Sequence, residues 1–258
     1  MKIFVLVKEV PDTYGDRKLN LETGLAERSA GDVVLDEITE RALEVALSYA
    51  DKNPDAEVVA LSMAPESSTA SVRRALAIGA ASAVHIADEQ LAGADLGLTA
   101  EVLAAAIRRG GADLVITGNL STDGSGGVIP AMLAEHLGFA QATALSAVEI
   151  SADSVSGTRA ADAGAQPVSA QLPAVISVTE ALPDARFPNF KGIMAAKKKP
   201  LEVLSLADLD VSADPAAAPR TIMTAIAEKP PRAAGVKITD EGDAGNQLVE
   251  YLVQNRLV

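Results

Sequence analysis

DLVITGNLSTDGSGGVIP, residues 113–130, runs from a short apolar strand through a glycine- and hydroxyl-rich loop to the start of a helix. Leu114, Val115 and Ile116 form the aliphatic run that fills a buried parallel strand, and Gly118 stops it. Ser121, Thr122, Asp123 and Ser125 then supply short polar side chains, while Gly124, Gly126 and Gly127 let the backbone approach a ligand closely. A helix predicted from about Ile129 to Leu137 turns its free N–H groups and positive dipole end toward this loop, the arrangement that holds a phosphate. Neither GxxxxGK[ST] nor GxGxxG spacing is present, and an ordinary strand-to-helix turn rich in turn formers explains the same residues.

The surrounding chain sets the context for that loop. Its 258 residues suffice for one large α/β domain with an extension. The formal charge of −13, with no basic stripe carrying interleaved aromatics, argues against nucleic-acid binding. There is no cysteine, and His85 and His136 stand far apart, so zinc chemistry and a Ser-His-Asp hydrolase have little to work with; no metal site is expected. The amino terminus MKIFVLVKEV reads as a strand with charges at both ends, not as a signal peptide. No apolar run reaches the roughly 20 residues needed to span a bilayer, so a cytoplasmic protein is expected.

Lys2 to Val7 opens a predicted sheet, followed by a polar excursion from Pro11 to Gly31 that carries Tyr14 near its start. Asp36 occupies an N-cap position before a helix whose apolar residues Ile38, Ala42, Val45, Ala46 and Tyr49 recur at helical spacing until Asn53-Pro54. Strands at Val58 to Met63 and Ala83 to Ile86 alternate with helices at Pro65 to Ile78 and Leu98 to Ile107, the last ending at Gly110-Gly111. The order βαβαβαβα predicts a doubly wound, mostly parallel sheet of the Rossmann-like, adenine-nucleotide-binding kind, with ligands beyond the carboxyl ends of the strands. Beyond Gln141 short β-rich pieces at 144–150, 154–158, 168–172 and 175–178 read as antiparallel additions. A nucleotide-binding domain is thus expected over residues 1–210, with a C-terminal arm over 211–258. The Ala-, Pro- and Lys-rich arm ends in QLVEYLVQNRLV, where Leu248, Tyr251, Leu252 and Leu257 would be bare unless they cover a partner.

LPDARFPNFKGIMAAKKKPLEV, residues 182–203, resembles the signature of the electron transfer flavoprotein β subunit. The likeness rests on Phe187-Pro188, the Gly192-Ile193-Met194 step, the run Lys197 to Lys199 and the strand Leu201 to Leu204. VLVKEVPDT near the start, DEITERALE, AIGA at Ala77 to Ala80 and LPAVISVTE at Leu172 to Glu180 are similar to the same family, and STDGSGG and DEITERA resemble its actinobacterial branch. Physically, Phe187, Phe190, Ile193 and Met194 lie among prolines and a glycine, so no regular helix or central strand is expected to bury them. They form either a docking surface, with a docking loop over 182–199, or a local core under the sheet. Lys197 to Lys199 is either a solvated face or a partner of acidic groups elsewhere.

The resemblance implies a heterodimeric electron carrier, not an enzyme. It would take electrons from flavin-dependent dehydrogenases, such as acyl-CoA dehydrogenases, and pass them to a membrane quinone oxidoreductase. One FAD would be held mainly by an α subunit, and this chain would hold a structural AMP. By resemblance, the AMP contacts fall on Leu6, on Val33, Val34, Leu35 and Asp36, on Met63, and on Gly118, Asn119, Leu120, Ser121, Thr122, Asp123, Gly124, Ser125, Gly126, Gly127, Val128 and Ile129. The docking position falls on Phe190, and the aromatic that touches flavin in some members falls nearest Tyr14, with Thr13 in strict register. Many members carry a Gln-Ala-Ile-Asp-Gly-Asp-Thr type of loop, whereas this chain has Leu120 to Gly126, then Val128 and Ile129 in place of side chains that reach phosphate. The backbone N–H groups of Ser125 to Val128, and the hydroxyls of Ser121, Thr122 and Ser125, would then do that work. In an electron-bifurcating branch the same site holds a second FAD.

Two readings from other classes compete. A stand-alone ATP-binding module of the same fold would leave the apolar tail and the Phe187 to Met194 stretch without a purpose. A nucleotide hydrolase would need a carboxylate pair for Mg²⁺ or a P-loop lysine near the glycine loop, where only Asp123 stands. Asp123 suits either a ribose acceptor or loop cap, or a plain Asx-turn. His85 reads as a strand-end histidine, and His136 as helix surface or interface.

Overall fold

The computed structural model describes residues 1–15, 17–214, 220–232 and 234–258. The chain forms two units, Met1–Thr224 and Ala225–Val258. The first holds strands β1 (Lys2–Leu6), β2 (Glu9–Pro11), β3 (Val33–Leu35), β4 (Glu57–Met63), β5 (Ser82–Ile86), β6 (Leu114–Gly118), β7 (Ala140–Ile150), β8 (Ser154–Ala161), β9 (Gly164–Gln171), β10 (Ala174–Val178) and β11 (Leu201–Leu204). Its helices are α1 (Glu37–Ala50), α2 (Thr69–Ile78), α3 (Leu96–Gly110), α4 (Ile129–Leu137), α5 (Phe190–Ala196) and α6 (Leu206–Leu209); the second unit carries α7 (Ala244–Gln254). Among the described residues no helix is long and apolar enough to cross a membrane.

Nine strands form one sheet in the order β11-β5-β4-β1-β6-β10-β7-β8-β9. From β1 the chain winds outward through β4 to β5, then returns to lay β6 against the other side of β1, with Ile3 opposite Leu114 and Ile3 opposite Val58. The order reverses between β1 and β6, and that reversal opens a crevice at their carboxyl ends. Both faces are covered, because successive strand residues point to opposite sides. Ile3, Val5, Leu114, Ile116 and Ile176 join Leu43 and Leu76 of α1 and α2 in one core; Phe4, Val59, Val115 and Val175 join Leu103, Ile107 and Leu133 of α3 and α4 in the other.

Two expectations need correction. The piece at 175–178 is no antiparallel addition: β10 lies parallel between β6 and β7, with Ala174 opposite both Leu114 and Ala140. All five of its residues, AVISV, are buried, as suits a central strand covered on both faces. Within the nine-stranded sheet the antiparallel pairs are β7-β8 and β8-β9, while β2 and β3 form a separate antiparallel pair. The second correction concerns Phe190 to Met194, which lie in helix α5 and not in an irregular stretch. Asn189 caps it by accepting the Gly192 N–H at 2.7 Å, a start signal that the neighbouring proline and glycine obscure. Phe187 and Phe190 are 88% and 80% exposed, so no local core buries them.

Among its described residues the second unit holds one helix, the amphipathic α7, after a stretch without regular structure. None of α7 is buried; Leu248, Val249, Tyr251 and Val253 are exposed on it, as is Leu257 beyond it.

Candidate functional site at the sheet crevice

The loop after β6 lies at the point where strand order reverses, so the sheet places it and its own sequence shapes it. Ser125 and Gly127 both take positive φ, 49° and 67°. At Gly127 a Cβ would also come within 2.7 Å of the Leu120 side-chain tip, so any other residue there meets backbone strain and has to displace that leucine. The turn closes on itself: the Ser125 N–H donates to Ser121 O at 3.0 Å, and the Gly124 N–H to Asp123 Oδ1 at 2.6 Å and Ser121 Oγ at 3.2 Å. Of the backbone donors expected at this place, Ser125 N–H is therefore engaged. Those of Gly126, Gly127 and Val128 have no partner among the described residues and stand at the N-terminus of α4, where Val128 is the N-cap.

Three cations that the loop's own sequence does not announce surround it. Lys8, directly beyond β1, places Nζ 2.7 Å from Asp123 Oδ1 and 3.2 Å from Ser121 Oγ. Arg28, in the excursion between β2 and β3, reaches Asp123 Oδ2 at 3.3 Å and Glu9 O at 3.1 Å, and Arg17 donates to Thr122 O. Asp123 is thus more than an Asx-turn, since it ties the end of β1 and the excursion to the loop. Burial by itself would raise its carboxyl, but the bond and charge of Lys8, with Ser121 and the Gly124 N–H, hold it down at about 2. Position 8, a lysine at the carboxyl end of the first strand, was the one signal that could have been read; for Arg28 there was none.

Asp36 meets the loop from the other side. It is 1% exposed at the start of α1, and Oδ2 accepts the Thr122 N–H at 3.0 Å instead of capping its own helix. Its Oδ1 and the Thr122 hydroxyl are buried without a partner. Burial, only partly offset by the Thr122 N–H, raises the Asp36 carboxyl above its ordinary value. Leu6 and Met63 end the neighbouring strands β1 and β4 at this same edge. Leu35 is in the core, while Val33 and Val34 of β3 are 38% and 36% exposed. Beside the loop, Pro11, Tyr14, Arg17, Lys18 and Asp32 line a cleft of about 350 Å³ that shares Asp123 as a wall. Tyr14 is 99% exposed. Among the described residues no group of three or more His, Asp or Glu is placed to hold a metal ion.

The pattern described as the electron transfer flavoprotein domain matches residues 23–209. The chain is 45% identical to the electron transfer flavoprotein subunit beta of Mycobacterium tuberculosis strain H37Rv, with 99% of each chain covered. It is 30% identical to the subunit of the same description from Bacillus subtilis, covering 84% of this chain and 83% of that one. The chain belongs to the electron transfer flavoprotein family.

Within that family it is a β subunit, a non-catalytic electron-carrier chain, and its place there implies an α subunit as partner. At the crevice of this chain Asp123 pairs with Lys8 and Arg28, and Asp36 accepts the Thr122 N–H of the loop. In this β subunit His85 is the penultimate residue of β5, at the strand end as read, and it is fully buried there, with Nε2 3.0 Å from Ala64 O and Nδ1 unpartnered. His136 is exposed on α4. The stretch expected to dock partners presents Phe187, Phe190, Ile193 and Met194 outward from α5 and the turn before it.

Proposed function

We propose that this chain is the β half of a heterodimer that accepts electrons from flavin-dependent dehydrogenases, acyl-CoA dehydrogenases among them, and delivers them to a membrane quinone oxidoreductase, working in the cytoplasm. FAD supplies the redox chemistry when bound, one per heterodimer and held mainly by the α subunit, with Tyr14 at the cleft as this chain's contact. The chain's own nucleotide is AMP. The carrying observation is the crevice loop: three unpaired N–H groups, Gly126 to Val128, at a helix N-terminus beside the cations Lys8 and Arg28. These groups fit a phosphate monoester, and the orphaned Asp36 Oδ1 and Thr122 hydroxyl fit the hydroxyl or amine donors of a nucleoside. Asp123 is engaged by Lys8 and Arg28, and Asp36 is enclosed and holds the Thr122 N–H, so the two do not present the open carboxylate pair that a Mg²⁺-dependent hydrolase needs, which favours the carrier reading over the enzyme reading. Phe190 and its neighbours receive the dehydrogenase, and the apolar side of α7 covers the α subunit.

Expressing the chain with and without its α subunit and recording visible spectra tests the carrier reading: yellow colour is expected only in the co-purified complex, and a yellow isolated chain overturns it. Mass spectrometry of the heat-released fraction tests the nucleotide. AMP at one per heterodimer is expected, an empty site defeats the assignment, and a second FAD makes this a bifurcating member. Gly126→Val gives the matching control. A Cβ there meets nothing of the protein closer than Leu96 at 3.8 Å, so the fold tolerates it while the ligand's approach is blocked.

A further inference from the structure

Of the three lysines 197–199, only the first two are exposed; the third is folded under. Lys199 Nζ donates to Ala80 O at 2.6 Å, Leu76 O at 2.9 Å and Gly79 O at 3.2 Å, three carbonyls at the end of α2. Helix carbonyls at a C-terminus lack partners of their own and carry partial negative charge, so an ammonium group satisfies both deficits. Burial lowers the Lys199 pKa, and no carboxylate among the described residues pairs with it. Beside it, Arg73 of α2 donates to Ala196 O at 3.1 Å. Gly192 lies so close that a Cβ would stand 2.6 Å from Ala77 O. The inner side of α5 is therefore seated directly on the end of α2.

The segment entering α5 is held as firmly from α1. Arg186 grips Glu44 with Nε and Nη2 at 2.8 and 2.7 Å, reaches Asp51 at 2.9 Å, and its own N–H donates to Glu44 at 3.0 Å. Burial would raise the Glu44 carboxyl, yet the hydrogen bonds from Arg186 hold it below its usual value. A helix of only seven residues has little stability by itself, so these grips at both ends give it its order.

We propose that Lys199 and Arg186 are positioning residues for dehydrogenase docking: by fixing α5 between α1 and α2 they present Phe190, Ile193 and Met194 in one geometry before the partner arrives. The inference rests on the docking reading above and adds to it that the surface is preformed. A preformed anchor avoids the ordering cost that a flexible one meets on association, so loosening α5 weakens docking without touching the flavin.

The test uses the complete flavin-loaded heterodimer with Lys199→Met, Lys199→Arg, Arg186→Gln and Phe190→Ala, an acyl-CoA dehydrogenase as electron donor, and hydrogen exchange of the amides of residues 190–196. Lys199→Met and Arg186→Gln are expected to raise the KM for the carrier about three- to tenfold with kcat and flavin content unchanged, and to speed exchange in α5. Lys199→Arg, which keeps a charged donor, restores most of both. If Lys199→Met does not fold, Arg186→Gln carries the same readouts from the other grip. Faster exchange in α5 with an unaltered KM overturns the proposal, as does a KM increase with exchange unchanged. Phe190→Ala separates the two layers: if it raises KM while the grip variants do not, only the preformed surface is wrong, and if it also leaves KM unaltered the docking reading falls with it.

Discussion

Asp123 joins the crevice loop to β1 through Lys8 and to the excursion through Arg28, and Asp123→Asn removes its charge while keeping an acceptor for the Gly124 N–H. Its carboxyl lies at about 2 in the fold, against roughly 3.9 for an unfolded chain. Linkage converts that difference into roughly 2.6 kcal/mol at neutral pH. The Asp123 side chain is 12% exposed but Lys8 and Arg28 are 41% and 35% exposed, so screening trims the figure to about 2 kcal/mol. In a chain of this size the asparagine variant should melt about 4–8 °C lower at pH 7. The folded pKa lies below the unfolded one, so the stabilisation is present above about pH 4 and is lost as pH falls toward 2, with roughly half gone at pH 3. Thermal unfolding of the heterodimer followed by circular dichroism, wild type against variant from pH 7 to pH 3, measures this. A deficit equal at pH 7 and pH 3 would refute the ionic origin, and no deficit at pH 7 would refute the anchoring role altogether.

Asp36 has the opposite sign. Its folded pKa is raised, so its stabilising contribution belongs to low pH and is lost as pH rises through the folded value; Asp36→Asn should therefore raise the melting temperature of nucleotide-stripped protein at pH 7, with no difference below about pH 4. A lower melting temperature at pH 7 would count against this. Phe190→Ala should raise KM for the carrier about thirtyfold, a loss of roughly 2 kcal/mol, and leave the melting temperature within a degree or two, because the ring is 80% exposed. A large stability loss at constant KM would remove it from the docking surface. Deleting residues 247–258 takes away most of α7 and should abolish co-purification with the α subunit while the sheet domain stays folded by circular dichroism. Full-yield co-purification of the truncated chain would show that α7 does not make that contact.

The sequence by itself determined the alternation of strands and helices, the loop and helix start at 113–130, and the family, because each rests on local signals. Aliphatic runs bounded by glycine give strands, 3.6-residue spacing gives α1, α2 and α3, and a glycine that must take positive φ marks the turn. The tertiary structure alone decided what lies against what. AVISV reads equally well as an edge or a central strand, and only the pairing of Ala174 with both Leu114 and Ala140 puts β10 inside the sheet. Asp123 meets partners 115 and 95 positions away, and Lys199 closes on carbonyls about 120 positions back. One lysine in a run of three is half-buried and two are exposed, and no local pattern distinguishes them. Charge pairing and burial depend on distances across the fold, which a linear sequence encodes only through the sheet order that brings remote segments together.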